Sequence, residues 1–424
     1  MTEPTKTPWD IEGKWSVSPY CWSPEVRKEF PLMRDKVIIR DDTFREGDHC
    51  IGYRMSFEDK IELLRLSVEM GIEEIDIGGP SLHKTEFNLT AALKESGIKV
   101  RKTARIFGIK IKDFQREIDM CMGAGADNLR IVLMYLNEKK VLDELTYLPE
   151  IFDYVHTQHK TTMSWAISDT PRAPMHLIRK VYEDGVAAGG DKAGINDTFG
   201  IATPGVMRYL TRVIREIIPD AMPLKAHCHN TFGMATANTI ACAEGGATEL
   251  DCCINGFGDE AGNASLEEVA VSLEALYGVK TGLDLTMMNK YSQLSVEKGR
   301  LPIQPHKAIV GENAFLRPML IWSGVNMAKE SWMLHEPLDP DCVGARSTVV
   351  FGPEQSIEDE PIEVKFKELG IPCTPELIVK ARETVENMLH EEQTVKVRRK
   401  YVTDAEFEDV IRKISLEQPV PAGA

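Results

Sequence analysis

Residues 37–77 read VIIRDDTFREGDHCIGYRMSFEDKIELLRLSVEMGIEEIDI, and this stretch holds one full repeat of the pattern that decides the fold. It begins with a β-rich run, Val37–Arg40, and continues through Phe57–Met70, whose apolar residues recur with helical spacing. It ends in a second β-rich run, Glu74–Ile77. Strands that alternate with helices in this way are typical of a parallel sheet.

The same alternation continues along the chain to about residue 285. Eight such units within roughly 250 residues fit a closed (β/α)8 TIM barrel better than an open doubly wound sheet. The open sheet is the alternative, but no G-x-G-x-x-G sequence follows the first run. The predicted strands are Val37–Arg40, Glu74–Ile77, Val100–Arg105, Leu129–Leu133, Thr162–Ser168, Ala193–Asn196, Leu224–His227 and Leu250–Asn255.

The chain on either side of the predicted barrel lacks this rhythm. Residues 1–35 contain Pro and Trp without periodicity and are predicted to form an N-terminal arm, whereas residues 36–285 form the catalytic barrel. Residues 286–424 are predicted to form a smaller, mostly helical C-terminal linker subdomain. Two of its predicted helices, Thr374–His390 and Thr403–Ile414, begin with a Thr before acidic residues, which is a typical N-cap signal.

Composition limits the partners and the compartment of the protein. The formal charge of −16 argues against a nucleic-acid partner, because phosphate binding needs clustered Lys and Arg. The nine cysteines form no C-x-x-C pair and indicate a reducing compartment. No window reaches about 18 apolar residues, and the N-terminus has no apolar signal segment. The sequence therefore predicts a cytoplasmic protein that binds neither nucleic acid nor a membrane.

Two histidines stand two residues apart at the end of the seventh predicted strand. In an extended chain, His227 and His229 point to the same side, and barrel enzymes place their catalytic groups at this end of the strands. Glu46, just past the first strand, can add a carboxylate. Such a set suits Mg, Mn, Co or Zn, although two hydrogen-bonded polar residues of the barrel would give the same pattern.

Arg45 precedes Glu46 in an acidic run. Beside a metal, an arginine can stabilise an enolate or alkoxide oxygen that becomes more negative in the transition state. The alternative is a structural ion pair with the surrounding carboxylates.

Several longer motifs together resemble one family, the DRE-TIM metallolyase superfamily of 2-isopropylmalate, homocitrate, Re-type citrate and citramalate synthases and HMG-CoA lyase. DDTFREGD resembles its D-x-T-L-R-[DE]-G-E motif, and HCHNTFGMATAN resembles its H-x-H-[ND]-x-x-G-x-A-x-A-N motif. ISDTPR, NDTFGIATP and NGFGDEAGNASLEE resemble the segments that follow its strands five, six and eight, in that order. The matches cover residues 37–270 in the family's order.

This resemblance implies roles for individual residues. By it, Glu46, His227, His229 and Asn263 bind a divalent metal, and Arg45 polarises the keto or enolate oxygen of the substrate. Four further residues are expected to bind substrate, and they are Asp76, Arg105, Arg172 and Thr198.

The resemblance also favours the synthase branch, in which an acyl-CoA condenses with a 2-oxo acid. The lyases carry a cysteine before the AGN asparagine, where this chain has Asp259. Pro302–Phe315 and Asp339–Gly344 resemble the linker subdomain of the synthases, which implies a homodimer. Cleavage of a carbon–carbon bond at the same site and a metal-binding barrel without catalysis are the alternatives.

The linker subdomain departs from the synthase pattern at two positions. Asn326 stands where the synthases have an acid/base histidine, and His335 stands where they have a tyrosine. Asn cannot titrate and His can, so His335 is predicted to be the catalytic base.

Overall fold

The computed structural model describes residues 7–106, 111–318, 337–351, 359–390 and 402–416. The chain divides into two compact units. The larger unit consists of residues 1–11, 17–304 and 308–310, and the smaller consists of residues 12–16, 305–307 and 311–424. The predicted divisions at residues 35 and 285 stay predictions. Among the described residues, no helix is both long and apolar enough to cross a membrane.

The larger unit is built on a closed barrel of eight parallel strands. Each strand pairs with its neighbours in sequence, and the last strand pairs with the first, which closes the barrel. The predicted (β/α)8 TIM barrel is therefore confirmed. The strands are β1 (Ile38–Asp41), β2 (Glu74–Asp76), β3 (Arg101–Ile106), β4 (Asn128–Leu133), β5 (Met163–Ile167), β6 (Lys192–Asp197), β7 (Leu224–Cys228) and β8 (Glu249–Cys252).

Helices surround this barrel and connect its strands. They are α1 (Pro24–Arg27), α2 (Glu46–His49), α3 (Phe57–Met70), α4 (Lys84–Glu95), α5 (Ile111–Ala124), α6 (Glu138–Leu145), α7 (Leu148–Tyr154), α8 (Met175–Ala187), α9 (Pro204–Ile217), α10 (Ala235–Glu244), α11 (Leu266–Tyr277) and α12 (Met288–Gly299). Capping residues determine both ends of helix α3. Ser56 and Asp59 form a reciprocal capping box at its start, and Gly71 ends it with a left-handed φ of 115°.

The interior of the barrel is unusually rich in charge. Such interiors are commonly filled by branched apolar side chains. Here β1 and β2 contribute Arg40 and Glu74, whose Nε and Oε1 atoms lie 2.9 Å apart, and β8 contributes Glu249 and Asp251. All four side chains are buried. Charged groups in such a site must be paired, because an unpaired buried charge is costly.

Among the described residues, the smaller unit combines three α-helices with a three-stranded sheet. The sheet contains β9 (Leu316–Pro318), β10 (Thr348–Phe351) and β11 (Val402–Thr403), and the helices are α13 (Asp359–Glu368), α14 (Pro375–His390) and α15 (Asp404–Leu416). Ile362, Phe366, Phe407 and Ile411 belong to its apolar core. The two predicted C-terminal helices are confirmed, with Thr374 and Thr403 accepting hydrogen bonds from backbone amides of their first turns.

Two residues that the sequence singled out lie outside the described part of the chain. They are Asn326 and His335, in the segment 319–336.

Candidate active site

The loop after β1 is folded tightly onto the barrel by the side chain of Asp41. This carboxylate accepts hydrogen bonds from the Thr43 amide at 3.0 Å, the Ser67 hydroxyl at 2.8 Å and the Tyr291 hydroxyl at 2.5 Å. The chain then turns into the short helix α2, which begins at Glu46. The Glu46 side chain is buried and forms an ion pair with Arg45. The anchored loop thus fixes both residues at the mouth of the barrel.

Glu46 meets two histidines from β7 and the residues that follow it. The Nε2 atom of His227 lies 3.2 Å from Glu46 Oε1 and 3.2 Å from His229 Nε2. One ligand atom from each of the three residues lies within 4.8 Å of the other two. Burial and the neighbouring His227 lower the pKa of His229 to about 3, so the His229 imidazole is neutral at neutral pH. Neutral imidazole is the form that binds metal.

Asn263 completes this group from the loop after β8. Its backbone bridges to His229, and its Nδ2 atom lies 3.5 Å from His227 Nε2. Its Oδ1 atom is buried and has no hydrogen-bond partner among the described residues. A buried amide oxygen without a partner costs free energy, so the arrangement fits a ligand that takes up this lone pair. Two imidazoles, a carboxylate and an amide oxygen are donors that suit a divalent ion.

A glycine leaves room for the Asn263 side chain. A Cβ atom at Gly258 would overlap Asn263 Oδ1. The motif NGFGDEAGN therefore needs glycine at this position for a packing reason.

These groups open onto a cavity of about 270 Å³ at the C-terminal mouth of the barrel. Six of the residues predicted from the sequence line it, and they are Arg45, Glu46, Arg105, Thr198, His227 and His229. The Thr198 hydroxyl accepts a hydrogen bond of 2.8 Å from the Asp169 amide, which leaves its own proton for another acceptor. The structure thus gathers these six residues from four different strand ends.

Two other predicted substrate-binding residues, Asp76 and Arg172, lie outside the lining of the cavity. The Asp76 side chain is buried, and its Oδ2 atom lies 3.1 Å from Arg130 Nη1, so it reaches the cavity only through that arginine. Arg172 is half exposed and pairs with Asp169 at 3.0 Å. Its guanidinium lies 4.7 Å from the ring centroid of Phe199, which does line the cavity. Neither residue is among those that line the cavity itself.

Arg130 lines the cavity and was not predicted from the sequence. The available signal was a charged residue at an inward position inside the apolar strand run Leu129–Leu133. Such a residue in a barrel strand must find a partner or face a ligand.

A parallel barrel with polar and charged side chains gathered at its C-terminal mouth defines a barrel enzyme as the class, and its histidine and carboxylate cluster could hold a divalent ion. The family model described as HMGL-like matches residues 36–294, and the chain belongs to this family, within the DRE-TIM superfamily. Members of this superfamily use a divalent metal.

Named relatives agree with the motif comparison. The chain is 30% identical over 402 residues to a homocitrate synthase of Methanopyrus kandleri, covering 92% of this chain and 96% of that protein. It is also 30% identical over 389 residues to a 2-isopropylmalate synthase of Methanocaldococcus jannaschii, covering 90% of this chain and 72% of that protein. An HMG-CoA lyase structure from Bacillus subtilis matches with a TM-score of 0.54 and 20% identity, covering 64% of this chain and 96% of that chain. This last likeness supports the barrel fold alone.

Proposed function

We propose that this chain catalyses a Claisen-type condensation of an acyl-CoA with a 2-oxo acid, as an acyltransferase that depends on a divalent metal. The observation that carries the proposal is the cluster of Glu46, His227 and His229 beside Arg45 at the mouth of the barrel. The synthase relatives at 30% identity over most of the chain support the reaction class.

Glu46, His227, His229 and the amide oxygen of Asn263 would hold the metal. The donor set fits Mg, Mn, Co or Zn, because it mixes imidazole with oxygen ligands. When bound, the ion would act as a Lewis acid on the keto group of the oxo acid.

Protein side chains around the cavity would bind and orient the oxo acid. The Arg45 guanidinium would stabilise the negative charge that grows on the keto oxygen as the new carbon–carbon bond forms. The Thr198 hydroxyl can donate to the substrate carboxylate, because its lone pair already accepts from the Asp169 amide. Arg105 would pair with a substrate carboxylate as well. Asp76 would act by holding Arg130, and Arg172 would act from the edge of the cavity through Phe199.

The remaining steps need a base and a second substrate. His335 would remove the α-proton of the acyl-CoA, and hydrolysis of the thioester would follow. We further propose that the protein is a cytoplasmic homodimer, with its linker subdomain contributing to the partner's site.

The test is a substrate screen with metal-free protein that has been reloaded with one ion at a time. Acetyl-CoA and longer acyl-CoA donors would be offered with pyruvate, oxaloacetate, 2-oxoisovalerate and 2-oxoglutarate, and release of the CoA thiol would be measured. Metal-dependent thiol release with one pair is expected. Carbon–carbon cleavage of the matching hydroxy acids without any condensation would instead establish the lyase alternative. Metal binding without turnover in either direction would favour a non-catalytic barrel.

The assignment of the base makes a separate prediction. His335→Gln is expected to abolish exchange of the acyl donor's α-protons with deuterated solvent, while oxo-acid binding to the metal-loaded protein is kept. The pH–rate profile should lose an ionisation near roughly pH 6 to 7, the usual histidine range. Deuterium incorporation by mass spectrometry and calorimetry of oxo-acid binding would measure the two effects.

His176→Gln is the matched control, because His176 is an exposed surface residue paired with Glu138. It should behave like the wild type. Full α-proton exchange in the His335→Gln variant would move the base elsewhere, with His49, Asp259 and Glu260 at the cavity as the next candidates.

A further inference from the structure

The second ring nitrogen of His227 faces the charged interior of the barrel. While Nε2 points toward Glu46 and His229, Nδ1 lies 3.2 Å from Asp251 Oδ2 and 3.4 Å from Asp42 Oδ2. A neutral imidazole carries one proton, and the nitrogen without it is the one that can bind a metal. The group that accepts a hydrogen bond from Nδ1–H therefore decides whether the Nε2 lone pair is available.

Cationic side chains surround the carboxylate of Asp251, which makes it a suitable hydrogen-bond acceptor for Nδ1–H. Its carboxylate contacts Arg40, and it lies 3.3 Å from both Arg130 Nη1 and Lys225 Nζ. All four of these side chains are buried. A carboxylate that three cationic side chains surround is a strong hydrogen-bond acceptor.

Asp42 is the competing acceptor, and its surroundings differ. Neither of its oxygens has a hydrogen-bond partner among the described residues. In the part of the chain that the structure describes, its only ion pair is the 3.4 Å contact with His227 itself. Of the two, Asp251 is both nearer to Nδ1 and better supplied with positive charge.

The sheet register explains why these groups meet. Strand β8 lies between β7 and β1, and Asp251 is the direct neighbour of Arg40 across the closing pair of strands. His227 projects from the adjacent strand, β7. Arg130 also pairs with Asp76 and lines the cavity, so the cation that supports Asp251 also faces the substrate.

We propose that Asp251 is a positioning residue of the metal site, which accepts a hydrogen bond from the Nδ1–H of His227 and holds the ring with Nε2 directed at the metal. The inference rests on the proposed metal site. It adds to that site a residue that does not itself line the cavity.

The test measures metal affinity rather than turnover. Metal-free Asp251→Asn should bind Co²⁺ about 10- to 100-fold more weakly than the wild type in a calorimetric titration, the usual range for losing such an outer partner. The visible absorption bands of the bound Co²⁺ should also shift, because the ring orientation changes.

Glu249→Gln is the matched control. Glu249 is also buried, also projects inward from β8 and also pairs with a lysine, Lys192, at 2.8 Å, but it makes no contact with His227. The control should bind Co²⁺ within about twofold of the wild type, so an equal loss in both variants would reduce the effect to general destabilisation and overturn the proposal. A loss in Asp42→Asn with none in Asp251→Asn would assign the role to Asp42 instead.

A measurement on the wild type covers the case in which Asp251→Asn fails to fold. In the zinc-loaded protein, the proton on His227 Nδ1 should give a downfield NMR signal protected from exchange, assigned by its absence in His227→Asn. Absence of that signal from the zinc-loaded wild type would overturn the proposal. Should His227→Ala and His229→Ala both keep full metal affinity, the metal site itself would fail. If they lose metal and Asp251→Asn does not, only the positioning role fails.

Discussion

His227→Ala is expected to give a folded barrel that no longer retains a divalent ion and has lost essentially all activity. The imidazole is the centre of the cluster, since its Nε2 lies 3.2 Å from both Glu46 and His229. A metal that polarises a carbonyl supplies several kcal/mol of transition-state stabilisation, which corresponds to roughly a thousandfold or more in rate. Metal content per chain by plasma emission spectroscopy and thiol release would be measured on the same preparation.

His176→Ala serves as the control, because this histidine is exposed on helix α8. Its metal content and activity should match those of the wild type. An unchanged metal content in His227→Ala, together with a normal circular dichroism spectrum, would contradict the assignment of this residue as a ligand.

Arg45→Ala is expected to lower kcat by about 100- to 1,000-fold, the usual cost of removing one group that stabilises a developing oxyanion. The KM for the oxo acid should change much less, because the charge that Arg45 meets grows in the transition state. Arg45→Lys should also be poor, since an ammonium lacks the planar fork of a guanidinium. Steady-state kinetics in both substrates would measure these effects.

Arg101→Ala provides the comparison on the other end of the barrel. Arg101 begins strand β3 and is nearly half exposed, with its guanidinium near Glu73 and Glu74. It should alter neither constant beyond about twofold. If Arg45→Ala raised KM and left kcat intact, Arg45 would be a ground-state binding residue and its proposed role in the transition state would be wrong.

The barrel could be predicted because its signal is local and repeated. Each predicted strand overlaps an observed one, and the predicted helix Phe57–Met70 has the observed bounds. The helix Asp359–Glu368 was not predicted. Its sequence, DEPIEVKFKE, contains a proline and few apolar residues, so its helical period is faint.

The residues of the candidate site that belong to short sequence motifs could be predicted. Glu46, His227 and His229 stand at strand ends, and the topology of a closed parallel barrel brings such ends together. What could not be predicted were contacts that depend on register between distant strands. Arg40 and Asp251 are 211 positions apart in the chain, and Arg130 meets Asp251 across the barrel interior. No local sequence pattern indicates a contact between residues so far apart in the chain.

The charged interior has a consequence for how the chain folds as it leaves the ribosome. Strand β8 is made after all the others, and until it arrives Arg40 and Arg130 lack Asp251, one of the carboxylates that balance their charge. Unpaired charges are costly to bury, so a sheet of the seven earlier strands would leave these arginines in contact with water. Pairing of β8 with both β7 and β1 supplies the missing carboxylate and joins the two ends of the sheet. We therefore expect the burial of these charges and the closure of the ring to occur together, as a late step in the assembly of this protein.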